Sequence, residues 1–243
     1  MPHAGRLSLF SAGDVFGALL PLRRSEPPSR KLGSHRVYLG DGQPVLVLPE
    51  FGGGPETTAK LRHVLRSAGF APHDWGLGVD NGPQEGLSRL LRAIEERVID
   101  VFEAERRSVI LIGCGLSGIY AREVAKRTSP LVRRVITVGT PLRVVDPAGT
   151  CFMLRALFAP RSSVDLAAVN RMRQRPPVPC TSIYTMTDEA VRWDLCEDVE
   201  SLTSENVVVP AHRHHDLMLH PKTLETITHR VAQPEPQHQE LDG

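Results

Sequence analysis

The stretch SVILIGCGLSGIY at residues 108–120 has two incompatible readings. Gly113, Gly115 and Gly118 match G-x-G-x-x-G, a turn whose glycines let a pyrophosphate approach a helix N-terminus. A strand, a glycine turn and a helix also make up a nucleophile elbow, G-x-S-x-G, whose serine would fall where this chain has Gly115. A dinucleotide fold needs an acidic residue about 20 positions further on to hold the ribose. The next strand, VITV at 135–138, instead runs into Gly139-Thr140-Pro141, and the first carboxylate beyond it is Asp146. The fingerprint normally lies on the first strand of its domain, whereas here a buried strand and two helices precede it. Nucleotide binding through G-x-G-x-x-G is therefore the weaker alternative.

The flanks place the elbow inside a larger pattern. Pro44–Pro49, PVLVLP, is short, apolar and bounded by turn residues, as a buried parallel strand should be. A glycine loop, EFGGG, follows. Residues 57–69 read as a helix closing at Gly69. Residues 84–105 read as a longer one, with Leu87, Leu90, Leu91, Ile94, Val98 and Val101 at helical spacing. Strand 108–113, a helix to about 127, strand 135–138, an irregular helical stretch at 148–173, strands 181–186 and 206–209 and a helix at 221–231 complete the order. Strands alternating with helices imply an α/β fold with a mostly parallel sheet covered on both faces.

Bulk properties narrow the function classes. A chain of 243 residues with 41% hydrophobic residues suits one large domain. Its 29 basic and 28 acidic side chains nearly cancel, so no overall field favours nucleic acid or an anionic membrane. Cys114, Cys151, Cys180 and Cys196 lack C-x-x-C spacing, which fits a reduced, cytoplasmic protein better than a zinc knuckle or disulfide framework. The run LSLFSAGDVFGALLPL is interrupted by Asp14 and lacks a cleavage site. It reads as an amphipathic helix docking Leu9, Phe10, Phe16, Leu19 and Leu20 on the core or, less readily, on a membrane surface. No segment reaches the roughly 18 apolar residues of a membrane span.

Residues 41–233 resemble bacterial lipase and esterase-like members of the α/β-hydrolase fold superfamily. The resemblance runs through GDGQPVLVLPEFGGG, DWGLGVDNGP, GCGLSGIYAREVAKR, VITVGTPL, TSIYTMTDEAVRW and AHRHHDLMLHP, in one consistent order. It implies an α/β-hydrolase domain at 37–233 with a small helical cap at about 143–178, while the amphipathic pattern gives an N-terminal helix and connection at 1–36 and polarity a disordered tail at 234–243. It also implies a serine nucleophile, a carboxylate and a histidine, in that chain order. The acid falls on Asp188 and the histidine on His214, with His212 or His215 as substitutes because the loop is about one residue longer than the pattern. The nucleophile position falls on Gly115.

Two other side chains near the apex can carry a nucleophile. Ser117 belongs in the first helical turn, rotated away from the histidine, and centring the elbow on it would put Ile119 where a small residue is needed. Cys114 would need Leu116 at the equally tight position and reads better as a packing residue. The oxyanion loop departs too: Pro49-Glu50-Phe51 stands where the family has Pro-Gly-Phe. The backbone N–H groups of Phe51 and Leu116 remain able to bind an oxyanion, since a main-chain donor does not depend on side-chain identity. Glu50 adds a carboxylate at the mouth, as a third catalytic group, a solvated loop acid or an arginine partner.

Loss of a triad serine lowers turnover about a millionfold, which argues against ordinary acyl-enzyme hydrolysis. The leading expectation is an enzyme using Asp188 and His214 as a general base, with Glu50, for proton-transfer chemistry: a lyase, isomerase, cyclase or direct water addition. Alternatives are a catalytically inactive pseudohydrolase that binds a ligand or partner, and an esterase whose residue 115 was serine and has been substituted. The expected substrate is an apolar small molecule, because Phe152, Met153, Leu154, Leu157 and Phe158 lie in the cap region. No cofactor is expected, nor a nucleic-acid partner. The cluster His212, His214, His215 and His220 is weak evidence for a metal, having only Asp216 as a nearby acid. Trp75 and Trp193 read as packing residues.

Overall fold

Continuous apolar strands need cover on both faces, and this one requirement organises the molecule. The structure, a computed structural model, describes residues 26–32, 35–143, 171–172, 174–199 and 201–234. The expected N-terminal helix, most of the cap at 143–178 and nearly all of the tail at 234–243 lie outside the described residues.

Among the described residues the first element is an antiparallel hairpin, β1 (Ser29–Leu32) and β2 (His35–Tyr38), where the sequence reading places only a connection. Its residues are mostly basic and polar, so no apolar run marks it. Val37 and Tyr38 are buried, and the Tyr38 N–H donates to Thr228 Oγ1 across 3.1 Å, tying the hairpin to the C-terminal helix. Next come β3 (Pro44–Leu48), α1 (Pro55–Ser67), β4 (Ala71–Asp74), α2 (Leu87–Glu105), β5 (Val109–Cys114), α3 (Ser117–Arg127) and β6 (Val132–Val138). Further along come β7 (Cys180–Tyr184), the short helix α4 (Trp193–Cys196), β8 (Ser204–Val208), the single turn α5 (His214–Leu217) and α6 (Pro221–Ala232).

The main sheet has six strands in the order β4-β3-β5-β6-β7-β8, all parallel. Side chains alternate between its faces. Leu46, Leu111 and Val135 meet Leu91, Ile94 and Val98 of α2 and Tyr120 and Val124 of α3. Val45, Val47, Ile110, Ile112 and Ile136 meet Leu61 and Leu65 of α1 and Leu224 and Ile227 of α6. With both faces buried, each central strand reads as an unbroken apolar run. The four buried side chains of α2, at Leu91, Ile94, Val98 and Val101, keep the helical spacing. Each contributes about 1.5–3 kcal/mol of gross apolar burial.

The edge strand β4, APHD, was not expected. Pro72 and its polar neighbours hide it, and an edge is where a sheet tolerates proline. Because every strand of the main sheet runs the same way, the loops after β3, β5, β6, β7 and β8 all emerge at one edge. That edge receives Glu50, Gly115, Gly139, Asp188 and His214.

Candidate active site

The turn from β5 into α3 is closed by backbone bonds. The Gly115 N–H donates to Val138 O at 2.9 Å, Gly118 N–H to Gly115 O at 3.2 Å, and Ile119 N–H to Leu116 O at 2.9 Å. Gly115 holds φ +56°, the left-handed region where a side chain is strained. Gly113 and Gly118 serve a different purpose. A Cβ on Gly113 would lie 2.3 Å from Gly118 Cα, and one on Gly118 would lie 2.1 Å from Thr140 Oγ1. The G-x-G-x-x-G spacing therefore comes from strand and helix passing at backbone contact, with a left-handed residue between them.

Both rival nucleophiles are spent in packing. Ser117 is fully buried; its Oγ lies 2.9 Å from Cys114 O and 3.2 Å from Leu48 O, and it accepts the Cys114 N–H at 3.0 Å. Cys114 is also fully buried, with its Sγ 3.4 Å from Met218 Sδ, and burial, with Glu50 nearby, pushes its thiol far up. A thiol so held is not a thiolate at neutral pH.

Of the three histidines considered, His214 is the one placed against Asp188, with Nδ1 2.6 Å from Asp188 Oδ2. The loop after β7 prepares that carboxylate: Asp188 Oδ1 accepts the N–H groups of Ala190 and Val191, each at 2.8 Å. The Asp188 side chain is 1% exposed. Burial pushes its carboxyl up, but the His214 hydrogen bond and the two backbone donors outweigh it and hold the pKa below the ordinary value.

Glu50 takes the other side of the same ring, with Oε1 3.3 Å from His214 Nε2. Its Cγ lies 3.4 Å from where a Cβ on Gly115 would project, so the glutamate stem occupies the room above the bare apex. Both ring nitrogens thus face a carboxylate oxygen, and each is best satisfied as an N–H donor. Burial alone would lower the His214 pKa, but Asp188 and Glu50 override it and push it up to about 10. The imidazole is therefore a cation at neutral pH, flanked by two anions.

Two positioning residues escaped the sequence reading. Gly139, at φ +59°, would carry a Cβ 2.7 Å from His214 Cε1, so the ring fits only because the end of β6 is bare. A glycine closing a β-branched strand was the available signal. Asp80 clamps the loop after β3 through its backbone: Gly52 N–H donates to Asp80 O at 2.7 Å, and Asp80 N–H to Gly53 O at 2.8 Å. Its own carboxyl is buried and pushed up by that burial. Phe51 and Leu116 stand on the two loops beside Glu50 and Gly115. Among the described residues, neither of their N–H groups donates to a backbone carbonyl.

Other expectations resolve simply. Trp75 is buried, donating Nε1–H to Gly78 O at 2.8 Å, whereas Trp193 is 38% exposed. His220 Nδ1 caps α6 by accepting the Lys222 N–H at 3.2 Å. Among the described residues no group of three or more histidine, cysteine or carboxylate side chains is placed to hold a metal ion. No described helix is long and apolar enough to cross a membrane.

Neither a scan against protein-family models nor a search of curated proteins finds a match to the chain. Solved structures do resemble it. Bacillus licheniformis lipase BlEst2 in its mature form superposes with a TM-score of 0.60 at 12% identity, covering 84% of this chain and 97% of that one. A metagenome-derived lipolytic enzyme, from work on LipS and LipT, gives 0.56 at 17% identity over 79% and 92%. MGS-MChE2, an α/β-hydrolase enzyme from the metagenome of Mar Chica lagoon sediments in Morocco, gives 0.51 at 15% over 84% and 96%. At such identities the likeness establishes the fold: the chain has the α/β-hydrolase fold.

Proposed function

We propose that this protein is an α/β-hydrolase-fold enzyme of proton-transfer chemistry that forms no seryl intermediate and acts on an apolar, carbonyl-bearing small molecule. The observation that carries the reading is the Glu50 carboxylate seated over Gly115, 3.3 Å from His214 Nε2. It also changes the roles expected from sequence. A histidine held as a cation between two carboxylates has no lone pair to offer, so His214 is the acid and Glu50 the base.

In a turnover, Glu50 removes a proton from the carbon next to a substrate carbonyl. The electron pair moves onto the carbonyl oxygen, where the N–H groups of Phe51 and Leu116 receive the developing oxyanion. His214, held by Asp188, donates a proton to that oxygen or stabilises it as a cation. Return of a proton to a different carbon completes an isomerisation, and loss of a leaving group completes an elimination. Phe51, Leu77, Val79 and Met186 are exposed apolar side chains on the loops around Glu50 and Asp188, which supports an apolar substrate. The likeness to a lipase and a lipolytic enzyme supports a carbonyl compound.

The test is carbon-bound hydrogen exchange in D2O, followed by proton NMR over a panel of apolar ketones, lactones and esters. Exchange above the buffer background is expected from the wild type, falling at least about 100-fold in Glu50→Gln. Gly115→Ser alone is expected to stay inactive toward p-nitrophenyl esters, because Glu50 still occupies His214 Nε2. Exchange unchanged in Glu50→Gln, or p-nitrophenyl ester hydrolysis by the wild type at serine-esterase rates, would contradict the reading.

A further inference from the structure

The opposite edge of the sheet, where the parallel strands begin, holds a second cluster that the proton-transfer site does not use. Arg134 sits in β6 on the face covered by α6 and is 7% exposed. Its Nε is buried without a hydrogen-bond partner, and among the described residues its guanidinium makes no hydrogen bond or ion pair. Glu205 of β8 acts on its charge, but that carboxylate is already committed. Its Oε1 takes Arg230 Nε and the Thr181 hydroxyl, the latter at 2.7 Å, while Oε2 takes Arg230 Nη2 at 2.8 Å.

Arg134 and Arg230 line a cavity of 370 Å³ together with Cys180, Ser201, Thr203 and Ser204. Its lining carries two arginines against one carboxylate, Glu205, with serine and threonine residues beside them. Burying an ionised group without a partner is costly, and the cost is removed when an anion enters with hydrogen-bonding oxygens. A guanidinium presents paired N–H groups that match two oxygens of one phosphate, and serine and threonine hydroxyls complete such a shell. Burial lowers the Arg134 pKa to about 10, which still leaves it charged at neutral pH.

We propose that the cavity at the amino ends of β6, β7 and β8 is a phosphate site, in which Arg134 and Arg230 bind free phosphate or the phosphate of a small monoester. The volume is within the range of small-molecule pockets and exceeds what a bare ion needs. The site lies across the sheet from Glu50 and His214, so its occupant is not a substrate of the proton-transfer site.

Thermal melting at fixed ionic strength, with inorganic phosphate in one arm and glycerol 3-phosphate in the other, tests the proposal. Sodium chloride at matched ionic strength is the reference. Wild-type Tm is expected to rise by about 5–10 °C when ligand reaches a hundred times its Kd, and Arg134→Gln to lose the rise. Without ligand, Arg134→Gln is expected to melt no lower than the wild type, since no native partner is removed. A larger shift with the monoester identifies the free cavity as part of the site, and equal shifts identify the anion alone. Phosphorus NMR line broadening on the wild type reads binding without any variant. No broadening and no Tm shift from either compound, or a shift undiminished in Arg134→Gln, would overturn the site.

Discussion

Gly113→Ala is expected to cost about 3–5 kcal/mol, a large loss for one methyl group, seen as a lower urea midpoint at an unchanged slope. The new Cβ would sit 2.3 Å from Gly118 Cα, 2.6 Å from Gly118 N and 2.8 Å from Ser117 C. All three are backbone atoms of the turn and first residues of α3, and no rotamer change can move them. Relief requires α3 to lift from β5, which uncovers Tyr120, Val124 and the Leu111 face of the sheet. Gly42→Ala is the matched control. Its φ is +84° but nothing lies within 4 Å of the added methyl, so only the left-handed backbone cost of about 1–2 kcal/mol applies.

Asp198→Ala is expected to destabilise by about 3–5 kcal/mol, because it strands a buried guanidinium. Arg122 of α3 and Asp198, beyond α4, are 3% and 6% exposed, with Nη1 2.6 Å from Oδ2. Asp198 also accepts the Val199 N–H at 2.9 Å, so it is held from both sides. The pair links the helix behind the elbow to the segment that follows the Asp188 loop. The loss comes from the uncompensated charge more than from the bond itself. Arg122→Met combined with Asp198→Leu should therefore recover much of the stability in a double-mutant cycle. A double variant no more stable than Asp198→Ala would show that the pair is not the source of the loss.

The parts of this fold legible in the sequence are those whose burial pattern is unmixed. VLVL and VILI announce strands because both sheet faces are covered, and α2 announces itself through Leu91, Ile94, Val98 and Val101. β4 and the β1–β2 hairpin escaped because Pro72, Arg30, Lys31 and Arg36 interrupt any apolar period on elements that bury only part of their length. At the site, Glu50, Asp188 and His214 were legible as residues, through a resemblance that fixed their order along the chain. Their mutual arrangement was not. Nothing in the spacing says that the Glu50 stem folds over Gly115 or that its carboxylate reaches His214 Nε2. The Arg122–Asp198 pair and the unpaired Arg134 were likewise invisible, being facts of packing between segments far apart in the chain.

The raised His214 pKa also sets a pH dependence. The group is charged in the folded state up to about 10 and in the unfolded chain only up to about 6.5. Its contribution to stability is therefore complete below pH 6.5 and lost as pH rises through 10. Asp188 acts in the opposite sense: its lowered pKa gives stability above about 3.8 that disappears as pH falls below it. The site accordingly favours the folded state most between these limits, from about pH 4 to 6.5.

Glu50 holds the His214 ring over an apex with no side chain. Imidazole nitrogen NMR of His214 across pH, in the wild type and in Glu50→Gln, tests it most directly. The wild-type ring is expected to stay doubly protonated to about pH 10, and the variant to titrate markedly lower yet above 6.5 because Asp188 remains. A wild-type ring titrating near 6.5, or the same midpoint in both proteins, would contradict it.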